Sequence, residues 1–273
     1  MKFSVLSWNV EKFVGSTARL KKVAQYIKDN EPDVLGLFEV ENIDIIDLIT
    51  DYLTEYNFHL TDGPQNKEIL VGVKSDKFEQ SIFSQKRQFK AYNPYLRPGA
   101  LLSLTLSGDL YNILFLHTDS GIGAPDFGNR NEMFEKIWHL KKALDKKTKD
   151  NTGSKFIVLG DLNTMGLKYP SRRVGDIRVS EADEIVALDA FANKKDMFRL
   201  KKQFDQTFNN GKLVSDLDHI FATANISFKE LGRTTADEPY HVKVSGWQQL
   251  TGSARKTFIE KISDHCLLYA EIE

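Results

Sequence analysis

Four short apolar runs in this chain each end on a polar residue: Trp8-Asn9, Phe38-Glu39, Leu116-His117 and Gly160-Asp161-Leu162-Asn163. Two more segments, Ser215-Asp216-Leu217-Asp218-His219 and Ser263-Asp264-His265, put acids and imidazoles directly before an apolar run. Runs of this length without a helical period read as buried strands. Such a chain is constrained to a sheet protein whose strand ends bring distant residues to one rim. Glu39 and Asp161 are oxygen donors that suit a hard cation such as Mg2+, which keeps several waters and meets substrate phosphate. Asn9 and Asn163 orient a carboxylate or bond a phosphoryl oxygen without adding repulsion. Taken singly, each junction reads equally as a solvated acid, a turn cap or a structural histidine. Together they point to a site.

Helical patterns fall between some of the strands. Residues 17–29 place Leu20, Val23, Ala24 and Ile27 on one face, and the spacing predicts a second amphipathic helix from Ile43 to Tyr56. Strands are expected at 3–9, 33–38, 69–74, 85–91, 100–106, 111–117, 155–159, 217–222 and 266–272, with a hairpin turn at Gly108-Asp109. The longest helical pattern covers 130–147, a shorter one 182–192, and 166–180 reads as a loop. With no repeat or linker, the pattern predicts two packed sheets covered by helices in a single α/β domain spanning 1–273.

Of the 273 residues, 41% are hydrophobic, enough for a large core. A net charge of −1 argues against holding nucleic acid by bulk electrostatics. It leaves room for an enzyme that brings its own cations to a phosphate, because a bound metal adds positive charge absent from the residue count. The single cysteine, Cys266, rules out an intrachain disulfide and a CxxC zinc site. The first residues form an alternating strand rather than a secretory signal, so a cytoplasmic location is the expectation, and no apolar run is long enough to span a bilayer.

The ordered blocks SWNVEKF (7–13), DVLGLFEVEN (33–42), LRPGALLSL (96–104), LFLHTDSG (114–121), FIVLGDLNTMG (156–166), SDLDHIF (215–221) and SDHCLLYAEI (263–272) resemble the endonuclease/exonuclease/phosphatase superfamily. GDLN after a buried strand, a late SDH before another, and the early Asn and Glu form a specific combination. The LFLHTDSG block carries a His where the AP-endonuclease branch has a Tyr and an Asn, so the resemblance is to the deoxyribonuclease-like branch. It implies a four-layer α/β sandwich of two mixed sheets flanked by helices, with the site at one edge.

The resemblance also implies roles. Glu39 is the leading metal ligand, with Asn9 beside it, Asp264 completing the shell and Glu11 near it; the ion is Mg2+, with Mn2+ as a substitute. Asp161 orients or deprotonates the attacking water, and Asn163 binds a phosphate oxygen. His265 acts either as general base or as a charged phosphate ligand, with Asp218 fixing its tautomer. His117 contacts phosphate or protonates the leaving group. Arg97 and, more weakly, Arg130 are candidate phosphate contacts.

The segment from Lys86 to Tyr92, with Tyr95, mixes cations and aromatics and reads either as a base-stacking surface or as a solvated edge strand. Lys168–Arg178, with its three arginines, is either phosphate-steering or simply solvated. The expected activity is metal-dependent phosphodiester hydrolysis, with a nucleic acid as substrate partner. The alternatives are a phosphatase or phospholipase of the same fold, and a catalytically silent binding module. No protein partner is inferable.

Overall fold

The computed structural model describes residues 2–14, 16–63, 67–148, 153–170, 175–235 and 237–273. The chain runs β1 (Phe3–Phe13), α1 (Thr17–Asn30), β2 (Val34–Val40), α2 (Asp44–Thr50), β3 (Tyr56–Leu60), β4 (Glu68–Lys74) and β5 (Gln80–Lys86). A 3-10 turn at Arg87–Lys90 precedes β6 (Gly99–Leu106), β7 (Asp109–Phe115), α3 (Ala124–Asp145) and β8 (Lys155–Asp161). Then come β9 (Leu167–Tyr169), β10 (Ile177–Val179), α4 (Glu181–Asn193), β11 (Met197–Arg199), β12 (Phe208–Asn209), β13 (Val214–Ser215) and β14 (Asp218–Thr223). The last elements are β15 (Gly232–Thr235), β16 (Glu238–Tyr240), β17 (Lys243–Ser245), α5 (Gly252–Lys261) and β18 (Leu267–Ile272).

Two six-stranded sheets carry the fold, ordered β17-β18-β1-β2-β4-β3 and β11-β14-β8-β7-β6-β5. Each is antiparallel except for one parallel pair, β1 with β2 and β7 with β8, and in each case a helix makes the return. Strand alternation then sorts the side chains. Ala100, Leu102, Ile113, Phe115, Ile157 and Leu159 face the first sheet and share one core with it. Leu101, Leu114, Phe156 and Val158 point the other way, onto Met133, Phe134, Ile137 and Trp138 of α3 and Leu188 of α4. On the far side of the first sheet, Leu20, Val23 and Ile27 of α1 and Ile45 and Ile49 of α2 close the core. The result is the four-layer α/β sandwich expected from the sequence. Among the described residues no helix is long and apolar enough to cross a membrane.

The sheets approach closely at Gly36, where an added Cβ would lie 2.2 Å from the Phe115 ring. Gly160 is a second such point: at φ 147° its backbone passes the Leu116 carbonyl, which a Cβ would meet at 2.0 Å. There β8 presses against the segment that carries His117.

Several element boundaries differ from the sequence reading. The expected helix 43–56 stops at Thr50, and Tyr56–Leu60 instead pair with β4, because Tyr56 and Phe58 gain more by packing on the sheet edge. The strand expected at 85–91 lies earlier, at Gln80–Lys86; its continuation curls into the 3-10 turn so that Phe89 can bury completely. Part of the loop 166–180 is the hairpin β9–β10, while Arg172 and Arg173 lie outside the described residues. The hairpin after β6 turns on Ser107-Gly108, both at positive φ (52° and 78°), one residue before the expected pair. The long helix begins at Ala124 rather than 130.

Candidate active site

Topology explains why residues far apart in sequence meet. In a parallel pair both C-terminal ends lie on one rim, so Asn9 of β1 falls beside Glu39 of β2, and His117, just after β7, beside Asp161 of β8. An antiparallel neighbour starts where its partner ends. β14 therefore begins on this rim with Asp218 paired to Asp161, β18 follows Asp264 and His265, and β6 follows Arg97.

The polar groups interlock. The Asn9 amide donates to Asp161 Oδ2 at 2.9 Å and reaches Glu39 Oε1 at 3.5 Å. Glu39 Oε2 accepts from the Lys12 backbone at 3.1 Å, and the Glu11 backbone donates to Asn9 Oδ1 at 2.9 Å. Asp161 Oδ1 accepts from the Asn163 backbone at 3.1 Å, and the Asn163 amide donates to the Thr118 carbonyl at 3.2 Å. His265 Nδ1 and Asp218 Oδ2 are 2.8 Å apart, which leaves His265 Nε2 facing Asp161 Oδ2 at 3.8 Å and Asp264 Oδ1 at 3.9 Å. His117 Nε2 lies 3.4 Å from Asp161 Oδ2 and 3.9 Å from Glu39 Oε1. Glu39 (φ 61°), Asn163 (φ 45°) and Glu11 (φ 47°) adopt left-handed backbone. Strain of this kind persists only where surrounding contacts impose it, and it gathers at functional sites.

The two histidines differ in charge. Burial, aided by Arg97, His265 and Lys67, holds His117 well below its ordinary value, so it is neutral at pH 7. Burial also works against a charged His265, but Asp218, Asp161 and Asp264 outweigh it and raise that imidazole to about 10. Burial raises Asp161 to about 7, with Asp218 and Glu39 adding to the rise. Asp264 is pushed up to about 6 by burial and by Glu11 and Glu39.

Glu39 and Asp264 with the Asn9 amide fit a hard divalent cation: they are oxygen donors with crowded negative charge, and Asp264 Oδ1 is buried without a hydrogen-bond partner among the described residues. Asp161, Asp218 and His265 also cluster within 4.8 Å. Asp218 Oδ2 and His265 Nδ1 are hydrogen-bonded and His265 is cationic, so the pair suits an acid–imidazole couple better than a metal cage, although Asp218 Oδ1 has no hydrogen-bond partner among the described residues.

Arg130 must be corrected. It is fully buried, pairs with Glu184 at 2.9 Å, and donates to the carbonyls of Gly121 (2.6 Å) and Gly166 (2.7 Å). No phosphate reaches it; it ties the His117 and Asn163 loops together. Arg97 does lie at the site, 4% exposed, donating to the Thr118 carbonyl at 3.1 Å, with Nε unpaired among the described residues. Arg178 is exposed and paired with Asp176. His219 is buried below the rim: Thr164 donates its hydroxyl hydrogen to the Asp216 carbonyl, so His219 Nε2 is the donor in its 2.9 Å contact with Thr164 Oγ1.

Sequence reasoning gave no role to Lys67, 3.9 Å from Glu39, to Phe208, whose ring centroid is 5.0 Å from that of His265, or to Ser263, which links the Asn9 carbonyl to the His265 backbone. Only Ser263 carried a signal, its place in the SDH block.

A sequence model described as the Endonuclease/Exonuclease/phosphatase family matches residues 6–265. No curated protein matches the sequence. Among solved structures, truncated Caenorhabditis elegans TDP2 is similar with TM-score 0.67 at 18% identity, over 99% of this chain and 97% of that one. D. rerio TDP2 complexed with single strand DNA product gives 0.66 at 16%, over 99% and 98%. A Bacteroides thetaiotaomicron mannosyl-6-phosphatase gives 0.61 at 16%, over 99% of each chain. At these identities the likeness is one of fold.

Proposed function

Because the chain belongs to the endonuclease/exonuclease/phosphatase family, we propose that it is a divalent-metal-dependent phosphodiester hydrolase acting on nucleic acid. The observation that carries the reading is the Asp218–His265–Asp161 array, in which a buried cationic imidazole faces a carboxylate whose pKa is raised to about 7.

In this reading Asp161 accepts the proton of the attacking water, a task suited to a base poised near neutrality. Asn9 and the Asn163 backbone hold its two oxygens in place. His265, kept charged by Asp218, binds a phosphoryl oxygen through Nε2 and neutralises charge that grows in the transition state. His117, neutral, donates a hydrogen bond to the departing ester oxygen, which leaves as its P–O bond breaks opposite the attacking water and takes its proton from solvent. The Asn163 amide and Arg97 complete the phosphate contacts. Glu39, Asn9 and Asp264 would hold the metal, with Glu11 as a further candidate oxygen donor. Mg2+, or Mn2+ in its place, supplies Lewis-acid charge stabilisation at the phosphoryl group.

Support for a nucleic acid substrate comes from the likeness to a TDP2 crystallised with single strand DNA product. A second reading, a phosphatase for a small phosphoester, is favoured by the likeness to a mannosyl-6-phosphatase and by the net charge of −1. The experiment is hydrolysis of plasmid, single-stranded DNA, RNA, a generic phosphodiester and a sugar phosphate, with Mg2+ or Mn2+ and an EDTA control. Asp161→Asn and His265→Ala are each expected to lower the EDTA-sensitive rate by about a hundredfold or more with circular dichroism unchanged. Full activity in either variant removes the mechanism, and turnover of the sugar phosphate alone selects the second reading.

A further inference from the structure

Between β5 and β6 the chain carries side chains that the reaction does not use. After the 3-10 turn Arg87–Lys90 it passes Tyr92 and Tyr95 before reaching Arg97. Phe89 and Leu96 are buried and pin the segment at both ends. Backbone bonds from Asn93 to Lys90 (2.7 Å) and from Leu96 to Asn93 (3.1 Å) fix its path. Between these anchors Tyr92 is 91% exposed and Tyr95 70%.

Cations line the groove beside the Tyr92 ring. A groove of about 470 Å3 between this segment and α3 is lined by Arg87, Lys90, Tyr92 and Lys136 among others. Lys136 Nζ lies 4.8 Å from the centre of the Tyr92 ring, on one face, and pairs with Glu132 at 2.6 Å. Among the described residues no acidic side chain pairs with Arg87 or Lys90, so two positive charges stand free in the groove that Tyr92 lines. Exposed rings interleaved with unpaired cations are the composition that holds single-stranded nucleic acid, because every base offers a face to stack and every phosphate a charge.

The place of the groove completes the argument. Lys86 pairs with Gly99, Ala100 with Phe115 and Phe115 with Leu159. The segment therefore leaves the same rim as Asp161, three strand spacings away, about 14 Å. That distance spans about four stacked nucleotides.

We propose that residues 86–95 and Lys136 form a docking platform for the nucleic-acid strand that flanks the scissile phosphodiester. Tyr92 and Tyr95 stack on bases, while Arg87, Lys90 and Lys136 meet phosphates. The platform rests on the nuclease reading of the adjacent site and gives it substrate affinity independent of base sequence.

The test compares the wild type with Tyr92→Ala/Tyr95→Ala and Arg87→Ala/Lys90→Ala on bis(p-nitrophenyl) phosphate, a dinucleotide and a single-stranded oligonucleotide of about 12 bases. In the tyrosine variant KM for the oligonucleotide is expected to rise about tenfold or more, with kcat and both small substrates unchanged. In the cation variant the dependence of KM on salt should flatten as well. An unchanged KM for the oligonucleotide, or an equal loss on all substrates, overturns the platform. If the wild type cleaves the small diester but no oligonucleotide, the nuclease reading fails, and anisotropy of a labelled oligonucleotide in EDTA judges the platform separately. Binding weakened by both variants supports it; no binding, or binding equal in all proteins, overturns it.

Discussion

Two buried imidazoles share this rim, and they differ in charge because three carboxylates outweigh burial at one while burial prevails at the other. His265 is kept charged by Asp218, Asp161 and Asp264, whereas His117 is kept neutral by burial beside Arg97 and Lys67. The proposed base, Asp161, is active only when ionised, so kcat/KM should rise with pH through about 7 at low metal concentration. A cation bound beside it favours the carboxylate and lowers its pKa. The acid limb should therefore move to lower pH as Mg2+ is raised. A pH profile at two Mg2+ concentrations checks this, and a limb that stays still removes Asp161 as the base. The positions that converge here were legible because each interrupts an apolar run, and burial of the run fixes where its end must lie. Their protonation states were not, since those depend on which charges the fold sets opposite each ring. Arg130 shows the same limit: its sequence offers a cation near a site, but only the helix phase reveals that Glu184 and two carbonyls consume it.

At the level of elements, the Arg130–Glu184 pair is the joint between α3, α4 and the two loops that carry His117 and Asn163. Glu184 also accepts the Gly166 backbone N–H at 2.6 Å. Removing one partner of a buried pair strands the other charge and costs about 3–5 kcal/mol. Glu184→Gln should accordingly lower the denaturant midpoint and kcat together, with Arg130→Met/Glu184→Met recovering part of the stability. An unchanged midpoint in Glu184→Gln would refute the joint. The buried strands β1, β2, β7, β8 and β18 were legible from their apolar runs, and α1 from its stripe of Leu20, Val23 and Ile27. Less was legible at the edges. Tyr56–Leu60 follows a helical pattern without a break, so only pairing with β4 decides its state. Beyond Lys86, the burial of Phe89 overrides the alternation that reads as a strand.

For the whole molecule, the site is a seam between two sheets that meet through Gly36 and Phe115. Without a cation the seam concentrates the charges of Glu39, Asp161, Asp218 and Asp264. Burial raises Asp264 to about 6, so at neutral pH its ionisation opposes folding. Asp264→Asn should therefore raise Tm in EDTA while losing the gain that Mg2+ gives the wild type. That gain is about 2.7 kcal/mol at a hundredfold excess over Kd, or several degrees in a chain of this size. Thermal scans with and without Mg2+ check it, and a wild type indifferent to Mg2+ would sink the metal assignment.

The pairing of Phe3 with Ile272, along the β1–β18 ladder, has a bearing on the making of this protein. A nascent chain still short of Asp264 exposes one edge of β1 and lacks the His265 segment that caps the rim. β1 therefore waits for β18 to complete its sheet, and until the two are paired the rim that gathers Asn9, Asp161 and His265 stays unassembled.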